Sequence, residues 1–332
     1  MATIQEVAKL AGVSVATVSR VINNNTTVSP KSREKVETAI KELNYEPNLL
    51  GRNLRCSESR LLLVIIPSID NPFYIKIING IEEVARNMKY SIMLCANSSP
   101  ERESLYFDML KQRLADGIIL MDPRVNMERL TSLSESYPIV QCSEYIAIES
   151  IPYVRIDNEI ASYNAVTHLL SLGHTDIALI NTDDRFIYAK HRKQGYLRAL
   201  SEYGIEVNED WLITADNHNF EDGKKAVKKV LQLEKKPTAI FAISDTLAIG
   251  VLKQIQDSGL RVPDDIAVVG FDGISFSEMT NPALTTVSQP MYQMGVEAAT
   301  MLIEKIQSIP VTSRIVKHDL VVRESTIGKK IK

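Results

Sequence analysis

Residues 3–23 read Thr3-Ile4-Gln5-Glu6-Val7-Ala8-Lys9-Leu10-Ala11-Gly12-Val13-Ser14-Val15-Ala16-Thr17-Val18-Ser19-Arg20-Val21-Ile22-Asn23. Thr3 stands three residues ahead of Glu6, and apolar Ile4, Val7, Ala8 and Ala11 follow at helical spacing. This is a capping box opening an amphipathic helix: each side chain satisfies a backbone N–H that the first turn leaves orphaned. The helix should stop at Gly12, because positive φ is cheap only for glycine. Ser14 can cap a second helix that carries Val18, Val21 and Ile22 on one face and runs out in Asn23-Asn24-Asn25. Ser29-Pro30 opens a third, with proline at the first helical position, where its missing N–H costs nothing. Val36, Ala39, Ile40 and Leu43 form the buried stripe of that helix. Two short helices joined by a tight turn and braced by a third follow the helix-turn-helix plan. Spacing alone leaves a three-helix bundle of another purpose open.

The wording of the segment narrows the choice. Residues 3–23 together with Val28-Ser29-Pro30, Arg33, Val36, Tyr45 and Pro47-Asn48 resemble the signature of the LacI/GalR repressor family. The resemblance implies an all-α headpiece over residues 1–48 whose second helix enters the DNA major groove. Val15, Ala16 and Arg20 then face base edges. Arginine can bond guanine O6 and N7 bidentately, and small apolar side chains can meet thymine methyls. Ser14, Thr17, Ser19 and Asn23 suit phosphates, which position the protein without reading sequence. Thr3 joins this DNA-contacting set. For Thr17 and Ser19 a plain solvated role stays open.

Residues 49–60 are expected to be the family's hinge helix, which folds on operator DNA and sits in the minor groove. Asn53 and Leu54 are its expected contacts, with Leu54 matching the leucine that wedges into the central base step. Conditional folding agrees with the composition. A segment under ~12 residues is marginal as an isolated helix, and Gly51 costs it ~1 kcal/mol more. Charge is distributed accordingly: residues 1–60 hold nine Lys/Arg and six Asp/Glu, whereas the remainder holds 29 and 35. A basic arm on an acidic body suits a polyanion partner.

From Leu61 the pattern changes to short apolar runs alternating with helical stretches. Strands are expected over 61–66, 91–96, 117–121 and 139–142, with a helix over 73–88. After Val154-Arg155-Ile156-Asp157 the rhythm restarts, with helices over 159–172 and 192–203 and strands over 177–181, 239–244 and 267–271. This alternation predicts an α/β core of two lobes with parallel sheets flanked by helices. The core resembles periplasmic sugar-binding proteins, a likeness the family shares. That implies three chain crossings, near 158, 290 and 323. The effector-binding and dimerisation core is therefore expected over 61–332. Its N-lobe is placed at about 61–158 and 291–323, and its C-lobe at about 159–290 and 324–332.

A ligand is expected between the lobes, at strand C-termini. By resemblance Arg192 matches the family's effector arginine and Asp272 the carboxylate that takes ligand hydroxyls. Asn71, Phe73 and Tyr74 follow the first strand, Ser244 ends another, and Gln289 lies at a crossing. His218 stands where family members often carry an aromatic. Arginine forks and Asp-to-hydroxyl bonds suit a sugar or a ribose, although each residue could instead be a structural ion pair or strand-end cap. Gly51-Arg52-Asn53-Leu54, Glu58-Ser59-Arg60, Asn71-Pro72-Phe73, Glu144 and His191-Arg192 look most like the cytidine-repressor subfamily, which favours a nucleoside effector. Ala267 to Asp272 and Gln289-Pro290-Met291-Tyr292 also resemble catabolite control proteins, which answer to a protein corepressor.

Other classes find little footing. No G-x-G-x-x-G, phosphate loop, Ser-His-Asp word or metal-spaced cluster occurs. Cys56, Cys95 and Cys142 have neither disulfide nor zinc spacing. The expectation is a non-enzymatic, cytoplasmic regulator with no cofactor, no metal and no membrane contact. Its partners would be double-stranded operator DNA of pseudo-palindromic sequence, a small-molecule effector (nucleoside or sugar) and a second copy, as a homodimer.

Overall fold

The structure is a computed structural model that describes residues 2–22, 27–45, 58–96, 99–122, 124–183 and 186–327. The chain divides into two units, Met1–Ser59 and Arg60–Lys332. In the first, α1 (Ile4–Ala11), α2 (Val15–Ile22) and α3 (Pro30–Glu42) enclose a small core of Val7, Ala8, Ala11, Val18, Val21, Val36 and Ala39. The capping box forms as expected: Thr3 Oγ1 accepts from the Glu6 N–H at 3.3 Å, and Glu6 Oε2 accepts from the Thr3 N–H at 2.7 Å. Gly12 closes α1 at φ 64°. Val18 is fully buried, so shortening it to alanine removes ~0.8 kcal/mol per buried methyl and leaves a void besides.

The second unit is built on two six-stranded sheets. β1 (Leu61–Ile66), β2 (Ser91–Ala96), β3 (Gly117–Leu120), β4 (Ile139–Cys142), β5 (Tyr153–Ile156) and β11 (Arg314–Val316) form the first, in the order β11-β5-β4-β3-β1-β2 and parallel throughout. The second holds β6 (Ile177–Asn181), β7 (Leu212–Thr214), β8 (Ala239–Ala242), β9 (Ala267–Asp272), β10 (Thr285–Ser288) and β12 (Asp319–Val321), in the order β12-β10-β9-β8-β6-β7. Its edge strand β12 runs antiparallel to β10.

Both faces of the sheets are covered, which is why the strands read as unbroken apolar runs. Along β1, Leu62, Val64 and Ile66 face α4 (Phe73–Asn87) and α12 (Met291–Ile306). Leu63 and Ile65 face the opposite cluster, beneath α5 (Pro100–Lys111) and α6 (Met127–Ser134). The second sheet is flanked by α7 (Asn158–Ser171), α8 (Ile187–Glu202), α9 (Phe220–Leu231) and α10 (Asp245–Asp257), with the short α11 (Phe276–Met279) and α13 (Glu324–Ile327) beyond them. Glycines let paired helices touch backbone to backbone. A Cβ on Gly80 or Gly295 would strike the Tyr292 or Ile77 carbonyl across the α4–α12 crossing. One on Gly223 or Gly250 would strike the Leu247 or Phe220 carbonyl across α9–α10.

Two expectations need correction. The third crossing is not near 323: β11 belongs to the first sheet and β12 to the second, so the chain changes lobes between Val316 and Asp319. Two three-residue strands with half-exposed side chains carry no pattern that assigns either to a sheet. The helix expected from Arg192 begins at Ile187, and its start at Phe186 makes no side-chain capping bond, so no cap residue marked it. Among the described residues no helix is long and apolar enough to cross a membrane.

Candidate functional site

The N-terminal unit presents α2 to solvent. Val15, Ala16 and Arg20 are exposed, as is Ser14 before the helix, while Thr17 and Ser19 are half-buried. Ser14 Oγ accepts from the Thr17 N–H at 3.2 Å and pairs with Thr17 Oγ1 at 2.9 Å. Ser14 and Thr3 therefore act as helix caps, and any phosphate contact they make shares those oxygens. The opposite face, Val18 and Val21, is buried against α1 and α3. α2 is thus held by one face and free on the other, as insertion into a groove requires. Asn23, Asn53 and Leu54 lie outside the described residues.

The second unit contains a cavity of about 710 Å³ between the two sheets, within the range of small-molecule sites. Its wall is made of strand C-termini: Pro67 and Ser68 after β1, Asp122 after β3, Ser143 and Glu144 after β4, Thr182 after β6, Ser244 after β8, Asp272 closing β9 and Gln289 after β10. Parallel strands from both sheets point there, the usual ligand position of open α/β folds. All eight expected residues line it: Asn71, Phe73, Tyr74, Arg192, His218, Ser244, Asp272 and Gln289.

At its centre is a buried ion pair. Arg192 Nη1 lies 3.4 Å from Asp272 Oδ1, and both side chains are more than nine-tenths buried. Arg192 Nε donates to Asn158 Oδ1 at 2.9 Å, and Gln289 Nε2 donates to Asp272 Oδ1 at 2.9 Å. Asn158 and Gln289 stand at the first and second chain crossings, so the pair is bonded to two of the three connections between lobes. The guanidinium also rests 3.6 Å from the centre of the Phe271 ring, an arrangement that favours a cation. Burial pushes the Asp272 carboxyl up to about 6, with Arg192 and Gln289 opposing that rise. Asp272 holds φ 117°, a strained value for a residue with a Cβ. The following turn is pinned by Asp245, whose carboxylate accepts from Gly273 N–H at 2.8 Å, Ile274 N–H at 2.9 Å and Thr286 Oγ1 at 2.6 Å.

The remaining expected residues divide by role. Asn71 Oδ1 accepts from the Phe73 N–H at 3.0 Å and shapes the turn into α4, while Phe73 and Tyr74 meet edge to face at 5.3 Å. Ser244 Oγ caps α10 through the Leu247 N–H, leaving it a lone pair and a proton for a ligand. His218 bonds the Tyr188 hydroxyl, and burial together with the charge of Arg192 depresses it to about 4. Imidazole at 218 thus does not stand alone where the family carries an aromatic: the Phe186 and Tyr188 rings, stacked on each other, lie 6.3 and 5.3 Å from it.

Sequence reasoning passed over Asp122, Arg124, Phe186 and Tyr188, and gave Glu144 no place in the site, yet all line the cavity. Arg124 grips Asp122 with a fork of 2.9 and 3.0 Å. Asp122 and Glu144 each fall two residues past a strand that the sequence had located, so the rule that ligands gather at strand ends would have found them. Phe186 and Tyr188 sit at a helix start that lacked a signal.

Comparison with known proteins accounts for both units. Residues 3–48 match the model of bacterial regulatory proteins of the lacI family. Residues 59–326 match periplasmic binding proteins and sugar binding domain of LacI family. The HTH-type transcriptional repressor CytR of Escherichia coli (strain K12) is 37% identical over 332 residues, covering 98% of this chain and 96% of that protein. Catabolite control protein A of Priestia megaterium is 39% identical over 330 residues, covering 98% and 99%. The lac repressor dimer bound to operator and the anti-inducer ONPF superposes with a TM-score of 0.86 at 29% identity, covering 98% of this chain and 99% of that one. With a three-helix unit whose second helix keeps one face exposed, a two-lobed core and likeness over nearly its whole length, the chain belongs to the LacI family of bacterial DNA-binding transcriptional regulators.

Proposed function

We propose that this chain is a repressor whose operator affinity is switched by a nucleoside, cytidine first, held in the inter-lobe cavity. One observation carries the reading: the ion pair that would take ligand hydroxyls, Arg192 with Asp272, is bonded directly to Asn158 and Gln289 at two lobe crossings. A ligand that competes for those bonds has differential affinity for two lobe arrangements, as a switch requires. Two copies would read a pseudo-palindrome. Supporting this, Ile75 on α4 and Met88 at its end, Met93 and Leu94 on edge strand β2, and Phe276 and Met279 on α11 are exposed apolar groups of the kind a dimer covers.

The test is a thermal-shift screen against nucleosides, pentoses, hexoses and sugar phosphates, followed by operator binding with each hit. A ligand at 100 times its Kd adds ~2.7 kcal/mol of stability. A shift with cytidine that also changes operator affinity supports the proposal, and a shift with sugars alone replaces the effector class. The 39% identity to catabolite control protein A favours a second reading, in which a protein corepressor acts; silence across the whole panel would select it. On the DNA side, Arg20→Ala should cost ~1–3 kcal/mol per half-site and relax preference at one base pair. An equal loss on all sequences would make Arg20 a phosphate contact.

A further inference from the structure

We propose that Glu144 reads the effector, its Oε2–H donating to a ring nitrogen or carbonyl oxygen of a planar heterocycle such as the base of a nucleoside. The inference rests on the reading of the inter-lobe cavity as the effector site and names the group that would recognise the ligand there.

Glu144 follows β4 in the first lobe, lines the cavity and is 6% exposed. Its Oε2 is buried and has no hydrogen-bond partner among the described residues. The carboxyl is reached from the second lobe by the Tyr188 backbone N–H at the start of α8. A buried polar oxygen left unmatched costs ~1–3 kcal/mol, and it stands at the wall of a cavity large enough to bring it a partner. Rings gather on the same wall: Tyr74 from the first lobe, and Phe186 and Tyr188, stacked on each other, from the second. An aromatic wall with one edge-directed polar group suits a flat heterocycle, while Arg192 and Asp272 suit hydroxyls.

The state of the carboxyl decides which partner it needs. Arg192 and Arg155 draw it toward the charged form, while Tyr74 and Tyr188 face it as neutral phenols. Asp272 and Asp122 share its surroundings through Tyr74, and His218, bonded to Tyr188, is neutral. Burial outweighs the two arginines and pushes Glu144 up to about 8. Near neutral pH the group is therefore a carboxylic acid. With the Tyr188 N–H occupying acceptor capacity, what the acid lacks is an acceptor for its own proton. The ligand must supply a lone pair, and a ring nitrogen or carbonyl oxygen of a heterocyclic base is a stronger acceptor than a sugar hydroxyl.

Calorimetric titration of the full-length protein with cytidine from pH 6.5 to 9.5 tests this, with adenosine and ribose as companion probes. Base-containing ligands should lose affinity about tenfold per pH unit above about 8, as the donor proton is lost. Glu144→Gln, whose amide N–H replaces the O–H, should keep binding at pH 7 within a few-fold and flatten the profile. Glu144→Leu should lose tenfold or more, with its ligand-free melting curve showing that it is folded. Ribose should bind with no dependence on residue 144. The proposal falls if Glu144→Gln keeps the alkaline loss, if Glu144→Leu binds cytidine like the parent, or if ribose shows the same pH profile. Arg192→Lys separates the two levels: if it binds cytidine unchanged, the cavity itself is not the effector site. If neither nucleoside binds the parent at any pH, the effector reading and this one fall together.

Discussion

The two lobes repeat one plan, yet they satisfy their cavity groups in opposite ways. In the second lobe, Arg192 and Asp272 hold each other and are tied to both neighbouring crossings, and Asp245 pins the turn behind them. In the first, Arg124 grips Asp122 and also donates to the Pro67 carbonyl at 3.3 Å, while Glu144 keeps an oxygen unmatched. One wall is wired into the hinges before any ligand arrives; the other keeps one buried oxygen for a partner. A binding site can thus be divided between a half that transmits and a half that selects, although both are built from the same strand-end positions.

Breaking the wired half should cost most. Asp272→Ala leaves Arg192 charged and buried without its carboxylate, and losing one member of a buried pair costs ~3–5 kcal/mol. The urea midpoint measures it, and a loss below about 1 kcal/mol would mean that the pair is not the centre of that wall. The shared plan is tested next. Gly80→Ala in the first lobe and Gly250→Ala in the second each drive a methyl into a carbonyl across a helix pair, for a similar ~1–3 kcal/mol. Unequal costs would show that one crossing can slide open and the other cannot.

The last contrast is in pH dependence, which runs in opposite directions in the two walls. Glu144, raised by burial, binds a proton in the folded chain over a range where the unfolded chain has lost it. Ligand-free stability therefore falls as pH rises from the ordinary carboxylate range to about 8, and Glu144→Gln should remove that fall. His218, depressed to about 4, behaves inversely: the unfolded chain binds its proton first, so stability drops as pH falls from 6.5 to about 4. His218→Gln should blunt the acid-side loss. Melting curves across pH 4–9 for the two variants check both signs, and matching slopes would dissolve the contrast.

Much of this was legible in the sequence, for physical reasons that can be named. The capping box at Thr3 and Glu6, the stop at Gly12 and the Ser29-Pro30 opening are local devices, so they hold wherever the helix is placed. Strands buried on both faces have to be apolar, which made β1, β6 and β9 plain. Arg192 and Asp272 came from family wording rather than from spacing. What could not be read depends on distant partners: the acidity of Glu144 is set by burial, against which arginines from other elements pull. The helix start at Ile187 has no cap, and β12 is defined by its neighbour β10 and by nothing in its three residues.

The chain crossings also set a timetable for synthesis. The second lobe draws nearly all its sheet from one continuous stretch, β6 to β10, whereas the first lobe borrows α12 and β11 from residues 291–316. As the chain leaves the ribosome, the α4 side of the first sheet has no α12 to cover it until some two hundred residues after β2 is made. At ~5–20 residues per second that is an exposure of roughly 10–40 s. The lobe begun first should therefore stay uncovered longest, and it is the one that a chaperone would have to shield. Protease protection on stalled nascent chains of increasing length would reveal the order: the 177–288 stretch should become resistant before 61–142, and the reverse would mean that the first lobe folds without its borrowed helix.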